Sequence, residues 1–199
     1  MRTSWPFNVS LMKTVQGYQM QLGRCLCGDI EYAVEGQPRD VINCHCEFCQ
    51  RATGSAFLVE TVFEKEDFRL RRGEPATYQH TSVGSGKQIH IHFCALCGTK
   101  THMTFERFPS IVGIYSGTFD EKDWFERTKE NTLHFFLSNA PKGTVLPADF
   151  EIYDAHYWLA EGVAAEPLIF TDHTLTRTAT SARRVPWWWT APTRCTRPT

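Results

Sequence analysis

The sequence predicts a mainly β domain, built of small antiparallel sheets that are clamped by zinc and carrying one or two short helices. Three observations support this prediction. Short segments with alternating apolar and polar residues recur along the chain, turns rich in Gly and Pro separate them, and helical patterns are scarce. In addition, seven of the eight cysteines fall into three tight clusters, a spacing that is typical of metal sites.

The strand predictions begin near residue 29. In the segment 29–36, Ile30 and Tyr32 alternate with Glu31 before a turn at Gly36. Further segments combine β-branched residues or alternation with turn residues at their ends. The sequence therefore predicts additional strands within residues 55–63, 67–75, 86–94, 99–108 and 110–119.

Helical signals are few. The clearest covers residues 120–131, DEKDWFERTKEN, where Asp120 is a suitable N-cap. A single short turn of helix is expected after Cys46. With so few helices, the domain must build its core from sheets.

One domain is predicted over residues 19–170, preceded by an N-terminal extension over 1–18. Beyond residue 170 the alternation disappears, and the chain becomes rich in Thr, Arg and Pro, with a Trp triplet at 187–189. We interpret residues 171–199 as a basic tail that is disordered or not native to the protein. The alternative is a segment that binds RNA or an anionic surface.

Charge and hydropathy exclude several classes of protein. The formal net charge is -1, so the chain as a whole is not predicted to bind nucleic acid or an anionic membrane. No apolar run approaches the ~18 residues that a membrane-spanning helix needs. The N-terminus does not read as a secretory signal. We therefore expect a cytoplasmic protein, in which structural disulfides are rare.

The cysteine clusters divide into two candidate zinc sites. Two closely spaced pairs that lie far apart in sequence make a good closed site, which is the structural type. The middle cluster then supplies three ligands and leaves the fourth position exchangeable, as catalytic zinc sites do. A disulfide framework is the alternative, and it fits poorly because C-x-C pairs are too close for an easy bridge. The clusters are Cys25 and Cys27, then Cys44, Cys46 and Cys49, then Cys94 and Cys97.

The ligand type favours thiol chemistry. Three thiolates leave a zinc ion with a net charge of about -1, so it suits a further soft ligand such as a substrate thiol better than it suits hydrolysis. A histidine is the alternative fourth ligand, although His45 lies between two ligands and would reach the same ion awkwardly. The other candidate histidines flank the third cysteine cluster: His90, His92 and His102.

A zinc deaminase is a competing interpretation. Residues 45–47, HCE, match the H-x-E of those enzymes, and CALC could serve as the later C-x-x-C pair. However, the proline that normally precedes that pair is replaced by Phe93, and the reading leaves several cysteines without a role. We therefore set it aside.

The pattern GRCLCGDIEY, NCHCEFCQRATGSAF and FCALCGTKTH resembles the glutathione-dependent formaldehyde-activating enzyme family. That family is also represented in animals by centromere protein V. The segments GTFDE at 117–121 and HFF at 134–136 are also similar to the family. The resemblance runs from about Met20 to about Tyr153. It implies a small, mostly antiparallel fold of the β-tent type with two zinc ions per chain.

By this resemblance, Cys25, Cys27, Cys94 and Cys97 correspond to a structural zinc site. The catalytic zinc site corresponds to Cys44, Cys46 and Cys49. The implied activity is that of a carbon–sulfur lyase that condenses glutathione, or a related thiol, with formaldehyde or another small carbonyl. A zinc-stabilised β module that binds a partner without catalysis is the alternative function.

The proton donor for this chemistry is not evident from the sequence. Polar residues directly after the middle cluster are loop candidates, although ordinary loop hydrogen bonding is the simpler expectation for each of them. Arg51 is also a candidate partner for a substrate carboxylate. The loop candidates are Gln50, Arg51, Thr53 and Ser55.

Overall fold

A computed structural model describes residues 20–160 and 163–176 of the chain. The predicted extension over 1–18 lies outside the described residues, as does the Arg- and Trp-rich part of the predicted tail. The interpretations of those segments, and the domain boundaries, stay predictions. Within the described ranges, no helix is long and apolar enough to cross a membrane.

Strands account for most of the regular structure in the described residues, which confirms the predicted mainly β class. In chain order the elements are β1 (Gln21–Arg24), β2 (Glu31–Val34), β3 (Asp40–Cys44), α1 (Glu47–Thr53), β4 (Leu58–Glu64), β5 (Phe68–Arg72), β6 (Ala76–Thr81), β7 (Gln88–Phe93), β8 (Lys100–Phe105), β9 (Ile111–Tyr115), β10 (Thr132–Phe135), β11 (Val145–Leu146), β12 (Glu151–Ile152), β13 (Trp158–Ala160), β14 (Val163–Ala164) and β15 (Thr174–Leu175). Short 3-10 turns lie at Lys65–Asp67, Ser116–Thr118 and Leu137–Asn139.

The largest sheet has eight strands in the order β12-β10-β3-β4-β9-β8-β7-β6. Neighbouring strands in this sheet are antiparallel except at one end, where β10 runs parallel to both β3 and β12. A second sheet, in the order β1-β2-β5, is antiparallel throughout. Two small antiparallel pairs of strands, β11 with β15 and β13 with β14, complete the sheets of the described residues.

Each predicted strand segment contains an observed strand, but several strands escaped prediction. The missed strands include β3 and β10, which pair with each other in parallel although about ninety residues separate them in sequence. They are short and almost wholly buried. Buried strands lose the alternation by which a half-exposed strand is recognised. Consequently the strand that ends at Cys44 carried no clear signal.

The helix predicted over 120–131 is wrong, whereas the helical turn expected after Cys46 is present as α1. In the 120–131 segment, the side chain of Asn131 takes two backbone groups that a helix would use. It accepts Thr128 N–H at 2.8 Å and donates to the carbonyl of Glu126 at 2.9 Å. The ammonium of Lys122 donates to the carbonyl oxygens of Gly117 and Phe119, which precede the segment. Trp124 packs edge-on against Phe119, so tertiary packing overrides helix propensity.

The two faces of the large sheet have different roles because side chains alternate along its strands. On one face, Phe63 and Val112 pack with Tyr32 of the three-stranded sheet. On the other face, Leu58 and Tyr115 pack with Cys44. We call this second face the site face. The three-stranded sheet thus covers one side of the large sheet, and the middle cysteine cluster lies on the other.

Asp40, the first residue of β3, is a buried carboxylate with incomplete compensation. Its side chain is 2% exposed, Oδ2 lies 3.4 Å from Nε of Arg39, and Oδ1 has no hydrogen-bond partner among the described residues. Burial raises the pKa of Asp40 to about 6, and Arg39 opposes that shift only in part. Because the folded state holds this proton more tightly than the unfolded state, stability falls as pH rises from about 4 through 6.

We expect Asp40→Asn to remove this pH dependence. Relative to the wild type, the free energy of unfolding of the variant should increase by about 1 to 2 kcal/mol between pH 5 and pH 7.5. Urea unfolding of both zinc-loaded proteins at the two pH values measures the difference. If the difference in free energy of unfolding between the variant and the wild type is the same at both pH values, the carboxyl of Asp40 titrates in the folded chain as it does in the unfolded chain.

Candidate metal centres

Four cysteines from two distant parts of the chain meet at one point. Cys25 and Cys27 follow β1, Cys94 and Cys97 follow β7, and all four Sγ atoms lie within 4.8 Å of one another. Glycines after each pair adopt left-handed backbone conformations, with φ of 76° at position 28 and 73° at position 98. The reversal after the first pair lets the amide of Ile30 donate to Cys25 Sγ at 3.3 Å.

The sulfur spacing in this group fits a metal ion. Cys25 Sγ lies 3.5 Å from Cys27 Sγ, which lies 3.6 Å from Cys94 Sγ. A tetrahedral site with Zn–S bonds of about 2.3 Å has sulfurs about 3.8 Å apart. All seven described cysteines are free thiols, so no disulfide forms among them. The group therefore could hold a metal ion, as the cysteine spacing predicts.

The second group consists of Cys44, Cys46 and Cys49, whose Sγ atoms also lie within 4.8 Å of one another. Pairing of β3 with β4 on one side and β10 on the other holds Cys44 at the end of its strand. Cys46 is the N-cap of α1, and its Sγ accepts the amide of Cys49 at 3.3 Å. No further described His, Cys, Asp or Glu joins this group.

Negative charge in the second group concentrates on one sulfur. Hydrogen bonds from the thiol of Cys44, and then from that of Cys49, lower the pKa of Cys46 to about 3. The same shared hydrogen bonds raise the pKa of Cys44 and Cys49 well above the ordinary value. Cys46 is also the most exposed of the three.

The candidate histidines lie outside the sulfur group. His45 is 1% exposed and packs against Phe57, with both ring nitrogens lacking a hydrogen-bond partner in the described structure. His92 stacks on His102 with ring centroids 4.3 Å apart, and His92 hydrogen-bonds Thr77 and Thr104. These rings are therefore part of the packing of the sheet rather than of the sulfur group.

The loop candidates mostly serve the backbone. Gln50 donates to the carbonyl oxygens of His45 and Asn139, at 2.6 and 2.9 Å. Thr53 donates to the carbonyl of Cys49 at 2.7 Å, and Ser55 donates to that of Phe57. Arg51 is exposed at the last turn of α1. The expectation of a loop is wrong for Gln50, Arg51 and Thr53, which lie in α1. The side chains of Gln50, Thr53 and Ser55 serve as donors to backbone carbonyls.

A cleft of about 340 Å³ opens beside the middle cluster. It lies between the end of α1, the start of β4 and the end of β9, and the side chains of Thr53, Ser55, Leu58, Lys100 and Tyr115 line it. No cysteine lines the cleft, but its lining residues Leu58 and Tyr115 belong to the same buried cluster as Cys44 and Cys49. Its volume lies within the range of small-molecule sites, and Lys100 gives it a positive charge.

Two residues on the site face were not anticipated from the sequence. Glu60 is 8% exposed, and burial, with a smaller effect of the charge on Cys46, raises its pKa to about 8. A methyl group at position 113 would overlap the Glu60 carboxyl, so Gly113 provides the room for it. Tyr115 is the cross-strand partner of Glu60. The available signal was an acid within the apolar run LVETVF.

Comparison with known proteins agrees with this geometry. The family model of the glutathione-dependent formaldehyde-activating enzyme matches residues 20–139, more than half of the chain. The chain belongs to this family. The matched residues include the two cysteine groups, Glu60 and Tyr115.

The chain is also similar to solved structures. The solved crystal structure of a Rhodobacter sphaeroides protein is similar, with 26% sequence identity and a TM-score of 0.41. The match covers 50% of this chain and 87% of the Rhodobacter chain. No curated protein matches the chain significantly.

We expect Cys94→Ser and Cys46→Ser to have different effects. Cys94 is fully buried with Cys25 and Ile30, so losing it should remove a metal ion that contributes to folding and lower the melting temperature strongly. Serine at position 46 remains a good N-cap for α1, so that variant should stay folded. Zinc content and thermal unfolding measure both effects. Equal unfolding of the two variants would show that both groups are structural.

Proposed function

We propose that the protein is a zinc-dependent carbon–sulfur lyase that condenses glutathione, or a related thiol, with formaldehyde or another small carbonyl. The observation that carries the proposal is the division of the cysteines into a group of four and a group of three. Four sulfurs complete a structural zinc site, whereas three are the protein ligands of a catalytic one. Membership of the glutathione-dependent formaldehyde-activating enzyme family supports the same substrates.

The residues of the middle cluster would hold the second zinc ion. When bound there, zinc supplies the positive charge that keeps a fourth, incoming thiol ionised at neutral pH. The chain itself orients the three sulfurs, because Cys44 is fixed by strand pairing on both sides and Cys46 by the start of α1. Seven free cysteines in the described residues fit a reducing, cytoplasmic setting.

The reaction balances without a further reagent. The thiol loses its proton to solvent, and the thiolate sulfur attacks the carbonyl carbon, so that a C–S bond forms while the C=O π bond breaks. The resulting alkoxide oxygen takes one proton from a donor in the site. The net change is addition of the thiol S–H across the carbonyl, and the lyase direction is its reversal.

The cleft beside the middle cluster is a suitable place for the body of the thiol. Glutathione carries two carboxylates, and Lys100 is the cation that lines the cleft. The hydroxyl-bearing residues Thr53 and Ser55, at and just after the end of α1, also line the cleft. A charge-assisted hydrogen bond from Lys100 to a carboxylate would anchor the peptide while its sulfur reaches the cysteines.

The zinc-loaded protein should accelerate formation of S-(hydroxymethyl)glutathione from glutathione and formaldehyde, as followed by NMR. Zinc analysis should give two ions per chain, and glutathione should change the X-ray absorption edge of only one of them. Cys46→Ser should retain one ion and lose both the edge change and the acceleration. Two ions that do not respond to glutathione, with no acceleration, would identify a zinc-stabilised binding module instead.

We expect Lys100→Gln to weaken the binding of glutathione. Loss of one charge-assisted contact should raise KM for glutathione about tenfold and leave kcat nearly unchanged, because the contact is remote from the reacting atoms. Lys87→Gln is the matched control, since Lys87 lies just before β7 in an exposed pair with Glu106 at 2.8 Å. An equal KM for both variants would place the thiol outside the cleft.

A further inference from the structure

The site face contains a buried acid that the packing of the sheet does not explain. Glu60 lies in the middle of β4 between Leu58 and Val62, and its side chain is directed to the same face as Cys44. None of the ion pairs in the described part of the chain includes it. A buried carboxyl without a cation is kept neutral by the cost of desolvating its charge. Such a group is a hydrogen-bond donor at neutral pH.

A glycine accommodates this acid. The carboxyl of Glu60 reaches across the neighbouring strand to the position that a side chain at 113 would occupy. Gly113 has an ordinary negative φ, since it is not among the residues with positive φ, so the backbone does not require glycine there. The absence of a side chain at 113 therefore serves the placement of the Glu60 carboxyl on the site face.

A second donor lies directly across the strand pair. Tyr115 is the cross-strand partner of Glu60, packs with Cys44 and Cys49, and lines the cleft. Its hydroxyl is buried and has no hydrogen-bond partner among the described residues. A buried hydroxyl normally finds a partner. The ordinary pKa of tyrosine is about 10, so the hydroxyl is a hydrogen-bond donor at neutral pH.

The groups around Glu60 come from the turn before α1, from β9 and from β3. Cys46 belongs to the turn before α1 and acts on Glu60 through its negative charge. Tyr115 comes from β9, while β3 places the apolar Ile42 opposite Glu60. No cation acts on the pKa of Glu60. The surroundings therefore disfavour its ionised form, which is the requirement for an acid rather than for a base.

We propose that Glu60 and Tyr115 form the subsite that binds the carbonyl oxygen of the acceptor, with the Glu60 carboxyl as the proton donor to that oxygen. The inference rests on the proposed thiol–carbonyl condensation and names the donor that the reaction requires. As the thiolate attacks, the oxygen becomes an alkoxide and accepts hydrogen bonds from both groups. The proton of Glu60 moves to the oxygen, and the carboxylate is reprotonated from solvent. The subsite suits small aldehydes, whose oxygen is the only polar atom.

Glu60→Gln tests the proton transfer. Glutamine is neutral and close to the same shape, so the fold and both zinc ions should be retained, while kcat falls about 10²-fold or more. The affinity for glutathione, followed by the zinc absorption edge, should not change. Glu64→Gln is the matched control, because Glu64 lies on the same strand and face but pairs with Arg39 near the surface. It should keep full activity.

The pH profile distinguishes an acid from a packing residue. Wild-type kcat should decline above about pH 8, where Glu60 loses its proton. This decline should be absent from the residual activity of Glu60→Gln. Independently of activity, the infrared difference spectrum between wild type and Glu60→Gln at pH 7 should contain the C=O stretching band of a protonated carboxylic acid.

Two further variants test the geometry. Gly113→Ala leaves the chemistry of Glu60 intact but displaces its carboxyl, and it should lower kcat as Glu60→Gln does, with zinc content unchanged. Tyr115→Phe should lower kcat on the order of 10²-fold, as expected for one donor to an oxyanion. Combining it with Glu60→Gln should cost less than the product of the single effects, because both donors serve one atom.

The outcomes separate this inference from the proposed function. A wild type that condenses the thiol and the aldehyde, together with a Glu60→Gln variant of equal kcat, would overturn the role of Glu60 and leave the lyase activity standing. Absence of the carboxylic acid band would do the same. A wild type without turnover would overturn the lyase function, and the subsite with it.

Discussion

The fold depends on one constraint, which is that four sulfurs from two separate sheets must meet within 4.8 Å. Cys25 and Cys27 extend from the three-stranded sheet, and Cys94 and Cys97 extend from the large one. The apolar contacts at this junction are few, since the cluster around Cys94 contains Cys25, Ile30 and Cys97. A bound ion would therefore supply the attachment that hydrophobic packing provides elsewhere.

The two faces of the large sheet differ in what packs against them. The three-stranded sheet and the aromatic residues Phe63, Phe119 and Trp124 cover the first face. On the site face, polar groups lie among apolar side chains inside regular strands, where the backbone does not require a polar residue. Glu60 and the hydroxyl of Tyr115 are buried there beside three thiols. Such an arrangement costs stability, and proteins retain it mainly at functional sites.

The sequence predicted the grouping of the cysteines better than the strands that position them. Cysteine spacing is a local pattern with few meanings, so the division into four and three was visible without coordinates. The pairing of β3 with β10 was not visible, because it pairs residues that lie far apart in sequence, such as Asn43 and His134, and produces no periodic pattern. The false helix over 120–131 had the opposite cause, since its local propensity was real but the packing of Trp124 overrode it. Glu60 was overlooked because an acid in an apolar run has meaning only once its face is known.

The parallel contact between β3 and β10 also orders events in time. The amide of His45 bonds the carbonyl of Phe135 at 2.9 Å, so the loop of the middle cluster acquires its last backbone support from residues made late in synthesis. The other sulfur group is complete once residue 97 has emerged. During translation, the four-cysteine group can therefore assemble before β10, the strand that supports the loop of the middle cluster, has been made.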